Sequence, residues 1–306
     1  MKLKIIYLLF LYCFTLYPFT AYGYQKTVNI STDGPGEEQK NNVADTVKPD
    51  TVIKQEAIRM IRDFYKIYTM NILSGISSSD LPVKKYLTQR LIEKTDRIRT
   101  ATDSDPVIRA QDFRKDVIET LSVGYLDKNW YMIGYTWDGK HTDIPLRVTR
   151  TNGQYMIDYI TPVWNGSLYG DSLFFDNPEP QTIDASTPLC LLKTFYAAYT
   201  LEYCSMPENL TLRLAALRAA YLTPNASAQF EYSVNKYKLD GRLNYDLLID
   251  YFDFDRLWLP SMKFSQSSED TCLTSYTRGN IPCTVKLKVI RQGEEYRIDS
   301  ITKHDM

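Results

Sequence analysis

Apolar side chains recur at helical spacing in one stretch of the chain and at alternate positions in the next. In residues 52–73 they stand three, four and seven positions apart, which is typical of one face of an amphipathic helix. A second helix is predicted from a cap at Asp80, with Pro82 in its first turn, to about Arg97. The apolar period then changes to two, and four strands are predicted at residues 117–126, 130–137, 144–151 and 155–161.

Two dipeptides predict how these strands are joined. Asp138-Gly139 and Asn152-Gly153 favour tight hairpin turns, because residues of these types tolerate positive φ angles. Short turns between successive strands indicate an antiparallel meander, with one face free to pack against the helices.

The same order of elements is predicted a second time. Residues 146–161 align with residues 287–302, 141 positions later, and eight of the sixteen aligned residues are identical. Two helices are predicted at 189–205 and 208–221, followed by strands at 257–266, 272–277, 284–291 and 296–302. A repeat of this length indicates a duplicated domain, since the units of solenoid proteins are about 20–50 residues long.

The N-terminus predicts export. Met1 to Lys4 is basic, residues 5–16 are apolar, and small residues at Ala21 and Gly23 suit a signal peptidase. The apolar run is shorter than the roughly 20 residues of a spanning helix, so no membrane span is expected in the mature chain. We therefore predict a periplasmic, cell-surface or secreted protein.

The chain then divides into five segments. They are a signal peptide (1–23), a disordered leader (24–50), a first α+β domain (51–162), a linker (163–188) and a second α+β domain (189–306). The fold class is therefore α+β, with N-terminal helices packed on a four-stranded antiparallel sheet in each domain. Each domain is long enough to bury its own core.

Composition excludes several functions. The net charge is −1 and no stripe of Lys or Arg is present, which argues against nucleic acid as a partner. The sequence has no glycine-rich phosphate loop and no paired cysteine spacing, so neither a cofactor nor a metal ion is expected. Its two histidines, His141 and His304, follow a turn and end the chain, so a catalytic histidine is not expected.

All four cysteines outside the signal peptide fall in the second domain. Cys272 and Cys283 flank a turn at Gly279 and are the candidates for a disulfide bond, which an exported chain can form. The alternative is that all four are buried thiols that pack as small apolar groups.

Part of the first domain resembles a known family. The residues that carry the resemblance are Asp103-x-Asp105-Pro106, Ala110-Gln111-Asp112-Phe113, and the closing Asn152-Gly153-x-Tyr155-x-Ile157-x-x-Ile160. They are similar to an uncharacterised family of exported bacterial proteins with the nuclear transport factor two-like, or cystatin-like, cone fold. The resemblance implies two tandem cone-shaped domains and implies no activity.

Five polar residues are the candidates for ligand binding: Asp103, Asp105, Gln111, Asp112 and Asp253. Asp112 and Asp253 stand at equivalent points where helices give way to the sheet, so each is predicted at the mouth of a cone. The alternative is that they are cap or turn residues that accept backbone hydrogen bonds.

We therefore predict a non-catalytic binding or interaction module whose partner is an envelope protein, a peptide or a glycan. Two alternatives stay open. One is a hydrolase or isomerase that uses Asp112 or Asp253 in the cone cavity, and the other is an inhibitor or immunity protein against an exported toxin.

Overall fold

A computed structural model describes residues 50–76, 82–111, 113–162 and 181–303. All of them belong to one unit, Lys48–Met306, of the two into which the chain divides. The predicted signal peptide, the predicted leader apart from Asp50, and residues 163–180 of the predicted linker lie outside the described residues. Residues 51–162 are called repeat one below, and residues 189–306 repeat two.

The helices of repeat one follow from its apolar stripe. Helix α1 (Asp50–Leu73) confirms the predicted helix and buries Ile61, Phe64, Tyr65 and Tyr68 on a single face. A 3₁₀ turn (Pro82–Lys85) and helix α2 (Gln89–Thr102) follow. The predicted cap, Asp80, lies outside the described residues, and the prediction of one continuous helix from Pro82 to Arg97 is wrong, since the chain makes two separate elements there.

Four strands complete repeat one. A short helix α3 (Lys115–Ile118) precedes β1 (Ser122–Asp127), β2 (Trp130–Trp137), β3 (Lys140–Thr151) and β4 (Gln154–Ile160). The strands pair in the order β1-β2-β3-β4, each antiparallel to the next, which confirms the predicted antiparallel meander. The prediction of a strand from residue 117 is wrong, because Val117 turns into the core from α3.

Repeat two has the same order with one additional helix. Helices α4 (Pro188–Ser205), α5 (Leu210–Tyr221) and α6 (Pro224–Leu239) precede a 3₁₀ helix (Arg256–Ser261). Strands β5 (Lys263–Gln266), β6 (Thr271–Arg278), β7 (Ile281–Gln292) and β8 (Glu295–Lys303) form the second antiparallel sheet. The predicted strand at 257–266 is therefore correct only for its last four residues.

Sequence analysis missed α6. Its only buried residues are Ala226 and Phe230, so its apolar periodicity is weak. The capping signal was nevertheless present, because the Thr223 hydroxyl accepts a hydrogen bond from Ala226 N and Pro224 occupies the first turn.

Both sheets carry a β-bulge at the same point of the repeat. The register shifts between Arg147 and Val148 in repeat one, and between Lys288 and Val289 in repeat two. The extra residues on the partner strands are Asp158 and Asp299. Simple alternation along β4 therefore fails, and residues 157–160 are all buried.

The two repeats have separate hydrophobic cores that touch. Met206, at the end of α4, packs into the core of repeat one, and Ala101 of α2 packs against the core of repeat two. The Tyr251 hydroxyl also donates a hydrogen bond to Ala101 O at 2.6 Å. The repeats therefore meet along α2. In the part of the chain that the structure describes, no helix is both long and apolar enough to cross a bilayer.

Candidate functional site

The loop that leads from helices to sheet is built around an aspartate in repeat one. Asp105 Oδ1 accepts a hydrogen bond from Val107 N at 2.8 Å, and Oδ2 accepts one from the Tyr68 hydroxyl at 2.6 Å. Burial and the charge of Asp105 raise the pKa of Tyr68 well above its usual value, so Tyr68 stays a donor. The carboxylate of Asp105 is thus used to hold the loop.

Repeat two keeps this arrangement although its sequence differs. Asp246, 141 positions after Asp105, accepts hydrogen bonds from Leu248 N at 2.9 Å and from the hydroxyls of Tyr199 and Tyr203 at 2.6 and 2.7 Å. Sequence analysis missed Asp246 because the proline and glutamine of the motif are absent around it. The constant offset of 141 positions was the signal that could have found it.

The other predicted residues of this loop serve it as well. Asp103 ends α2 with a left-handed φ of 53°, and its carbonyl oxygen accepts a hydrogen bond from Gln111 Nε2 at 3.2 Å. Asp103, Asp105 and Gln111 are therefore brought together, but by contacts within the loop. Asp112 lies outside the described residues.

Asp253 lies at the contact between the repeats. Its side chain is fully buried, Oδ1 is 3.0 Å from Arg97 Nε, and Lys94 Nζ pairs with Oδ2. Lys94 also donates to Phe254 O at 3.3 Å. The prediction that Asp253 lies at the mouth of a cone is wrong, because two buried cations of repeat one enclose its carboxylate.

The open groove between the repeats is polar. It has a volume of about 510 Å³ and is lined by Thr88, Arg90, Thr149 and Thr151 from repeat one and by residues 207–209 from repeat two. Arg90 Nη2 is 2.8 Å from Asp158 Oδ2, which Arg147 also binds. The charged groups at the back of the groove are thus paired with one another.

A second pocket lies in repeat two, where the loop, the end of α6 and the β6–β7 hairpin converge. Its volume is about 390 Å³, within the size range of small-molecule sites. We call it the tyrosine–arginine pocket, and the residues that define it are Tyr237, Arg242, Tyr245, Tyr251, Arg278 and Lys303.

The electrostatics of this pocket are positive. Three cations line it against one carboxylate, that of Asp250, and Asp250 Oδ1 already accepts from the Tyr245 hydroxyl at 2.6 Å and lies 3.3 Å from Lys303 Nζ. Burial and the Asp250 carboxylate raise the pKa of Tyr245 above its usual range. Sequence analysis named none of these residues, since no motif joins them.

A chain of hydrogen bonds on the sheet of repeat one contains the sole histidine among the described residues. His141 Nε2 is 3.0 Å from Asp143 Oδ1, and His141 Nδ1 is 3.1 Å from Thr136 Oγ1. A hydroxyl, an imidazole and a carboxylate in sequence can support nucleophilic chemistry in an enclosed site. About half of the His141 and Asp143 side chains is exposed, which is the geometry of a solvated surface network.

The four cysteines in the part of the chain that the structure describes are free thiols. Cys272 pairs with Leu287 across the sheet and Cys283 pairs with Tyr276, so the two stand four residues apart along neighbouring strands. That offset is roughly 13 Å at the usual rise of a strand, beyond the reach of a disulfide bond. The prediction of a Cys272–Cys283 bridge is wrong because of this register, and the buried-thiol alternative describes both residues.

No group of three or more potential metal-ligating side chains occurs among the described residues. The carboxylates of Asp105, Asp246 and Asp253 are each held by hydroxyls, backbone N–H groups or cations.

Two solved structures are similar to parts of the chain. A protein of unknown function from Bacteroides thetaiotaomicron VPI-5482 is 43% identical over 37% of this chain and 93% of that chain, with a TM-score of 0.34. A protein described as an Ntf2-like protein involved in plasmid conjugation is 12% identical over 60% of this chain and 74% of that one, with a TM-score of 0.19. No protein-family model and no curated protein matches the chain.

The first of these matches defines a class of bacterial proteins of unknown function. Its identity and its coverage of that protein are high enough to show common family membership. The chain therefore belongs, through the part that matches, to the same family as the Bacteroides protein. Both TM-scores are below 0.5, so neither overlay establishes the fold.

Proposed function

We propose that the chain is an exported binding or interaction module made of two cone-shaped domains. The observation that carries the proposal is the tyrosine–arginine pocket, an open site with unneutralised cations on an otherwise well-packed repeat. The inter-repeat groove offers a second, polar surface. The proposed partner is an envelope protein, a peptide or a glycan.

The packing of the repeats supports binding over catalysis. Cone-shaped enzymes hold their reacting groups in a cavity between helices and sheet. Here that space contains fully buried aromatic side chains, among them Tyr65 and Phe113 in repeat one and Tyr196 and Phe254 in repeat two. Tyr65 and Tyr196 each donate to a loop carbonyl, at 3.0 and 2.7 Å, so their hydroxyls are also occupied.

The bulges support the cone shape. A bulge bends its strand and increases the local twist, and both sheets carry one between their last two strands. Two sheets bent at the same place would curve around their helices in the same way.

Binding and catalysis are separated by one set of measurements on the mature chain. A ligand screen should find compounds that raise the melting temperature without being converted, because a ligand that binds only the folded state stabilises it. The same compounds are then assayed for turnover with the wild type, with Asp112→Asn and with Asp270→Asn, a control whose carboxylate is half exposed. Turnover that Asp112→Asn abolishes and Asp270→Asn retains would replace this proposal with the enzyme alternative.

Export is tested by two measurements, the compartment in which the protein is recovered and the first residue of the recovered chain. Expressed in a bacterium with a cell envelope, the protein should be recovered outside the cytoplasm, with Tyr24 as its first residue by intact-mass measurement. Recovery from the cytoplasm with Met1 or Lys2 still present would contradict the signal peptide.

A further inference from the structure

We infer that the tyrosine–arginine pocket binds the carboxylate of a ligand whose adjoining part is apolar. The inference rests on the proposed binding function and names the class of ligand. A free organic acid and the C-terminus of a peptide both present this chemistry, and the experiment below distinguishes them.

Arg278 is the residue that points to an anion. Its guanidinium carbon lies 3.4 Å from the centre of the Tyr251 ring, so the guanidinium is stacked on the aromatic face. Its Nη1 is buried and finds no hydrogen-bond acceptor among the described residues. A buried donor without an acceptor is costly, and a carboxylate is the acceptor that an arginine binds most strongly.

The remaining cations favour one negative charge. Asp250 lies beside Lys303 and offsets one of the three positive charges that line the pocket. Arg242 is exposed and Arg278 is half-buried. An approaching anion therefore meets a net positive field, which also speeds its encounter with the site.

The rest of the lining, apart from Thr284, is apolar or aromatic. The rings of Tyr237 and Tyr245 stack with their centres 3.8 Å apart, and Ile281, which also lines the pocket, is 55% exposed. Large exposed apolar side chains beside a cavity favour a partner that covers them. A ligand with an aromatic or aliphatic group next to its carboxylate therefore fits both the cationic and the apolar parts of the pocket.

Repeat one lacks the features of this site because the positions that build it differ. Trp137 stands where repeat two has Arg278, at the end of the equivalent strand. The position of Asp250 is occupied in repeat one by Arg109, 141 residues earlier, and both have a left-handed φ, of 46° and 51°. The Arg109 guanidinium donates to Asp143 O at 3.2 Å and to Thr161 O at 3.1 Å. Arg109 thus bridges the end of its own sheet, whereas Asp250 accepts a hydrogen bond from Tyr245 and lies beside Lys303.

The test uses the mature chain and two pairs of probes, measured by calorimetry. The first pair is 3-phenylpropionate and its neutral amide, and the second is a tripeptide that ends in phenylalanine with a free carboxylate or with a carboxamide. A fragment of this size reaches a dissociation constant of roughly 0.1–1 mM in a formed pocket. We expect one or both carboxylates to bind in this range, and each amide to bind at least about tenfold more weakly, the equivalent of losing one charged hydrogen bond.

Four variants locate the site. Arg278→Gln and Lys303→Gln should each weaken carboxylate binding by about threefold to thirtyfold. Their controls, Arg291→Gln and Lys288→Gln, lie on β7 outside the pocket and should bind as the wild type does. Lys303 and Lys288 are equally exposed, each at 49%, so their pair is matched for solvation. If Arg278→Gln does not fold, Lys303→Gln still tests binding in the same pocket.

Each result supports or overturns the inference. Preference for the free acid identifies a small-molecule site, and preference for the peptide acid identifies a C-terminus. Equal binding of acid and amide, no binding of either acid, or unchanged binding in both pocket variants would overturn it. A partner that the wild type, Arg278→Gln and Lys303→Gln all bind equally would leave the binding function standing and place its site elsewhere.

Discussion

The substitution Asp253→Asn probes the contact that joins the two repeats. It keeps the size of the side chain and removes the only negative charge that pairs with Lys94 and Arg97 among the described residues; the side chains of these two cations are 4% and 9% exposed. Because water cannot screen these groups, the two cations would remain buried without a counter-charge. Breaking a buried ion pair in this way costs about 3–5 kcal/mol, whereas an exposed pair is worth about 0–1 kcal/mol.

The assay is urea unfolding followed by circular dichroism. A domain is stable by about 5–15 kcal/mol, so we expect a large fall in the unfolding midpoint of Asp253→Asn. The control is Asp270→Asn, whose half-exposed carboxylate is 3.8 Å from Lys288; since solvent screens this pair, the substitution should leave the unfolding midpoint nearly unchanged.

A third variant separates charge from packing. Replacing the whole triad by apolar residues, as Lys94→Met, Arg97→Met and Asp253→Leu together, removes the unpaired charges and should recover most of the lost stability. If Asp253→Asn behaves like Asp270→Asn, or if the apolar triple variant is the less stable of the two, the buried ion triad is not what stabilises this contact.

Three further predictions concern thiols, pH and turns. Because the described cysteines are free, a reducing agent should leave the melting temperature unchanged, and thiol titration of the unfolded chain of residues 24–306 should find four thiols; a smaller number would indicate a disulfide bond. Burial raises the pKa of the Cys204 thiol from 9.0 to about 12. Below pH 9 the folded and the unfolded chain both keep the proton, whereas above pH 9 only the unfolded chain releases it. The unfolding free energy should therefore fall from pH 9 towards pH 12, and it should fall less steeply in Cys204→Ala. Gly153→Ala should lower the unfolding free energy in urea by about 1–3 kcal/mol, because φ is 81° at this turn residue. Gly134→Ala should cost less, since the Cβ added there meets only the ends of movable side chains. Equal losses in the two variants would contradict this reasoning.

The amino-acid sequence by itself determined the local elements and their order. Strand β2 begins and ends at the predicted residues, and Asp138 and Asn152 have the positive φ angles that their turns predicted. These features depend on neighbours within a few positions, so their signal is local. Helix α6 was not predicted, because most of its residues face solvent and form no apolar stripe that such a local signal could show.

Only the tertiary structure decided what the charged and sulfur-bearing side chains do. Asp253 meets Lys94 and Arg97 from more than 150 residues away, and no spacing in the chain records such a contact. The distance between Cys272 and Cys283 depends on the register of their two strands, which is set by the hairpin turn. The positions of the cysteines in the sequence do not reveal this register. The pocket around Arg278 arises where a loop, a helix end and a hairpin converge, so its chemistry exists only after the repeat has folded.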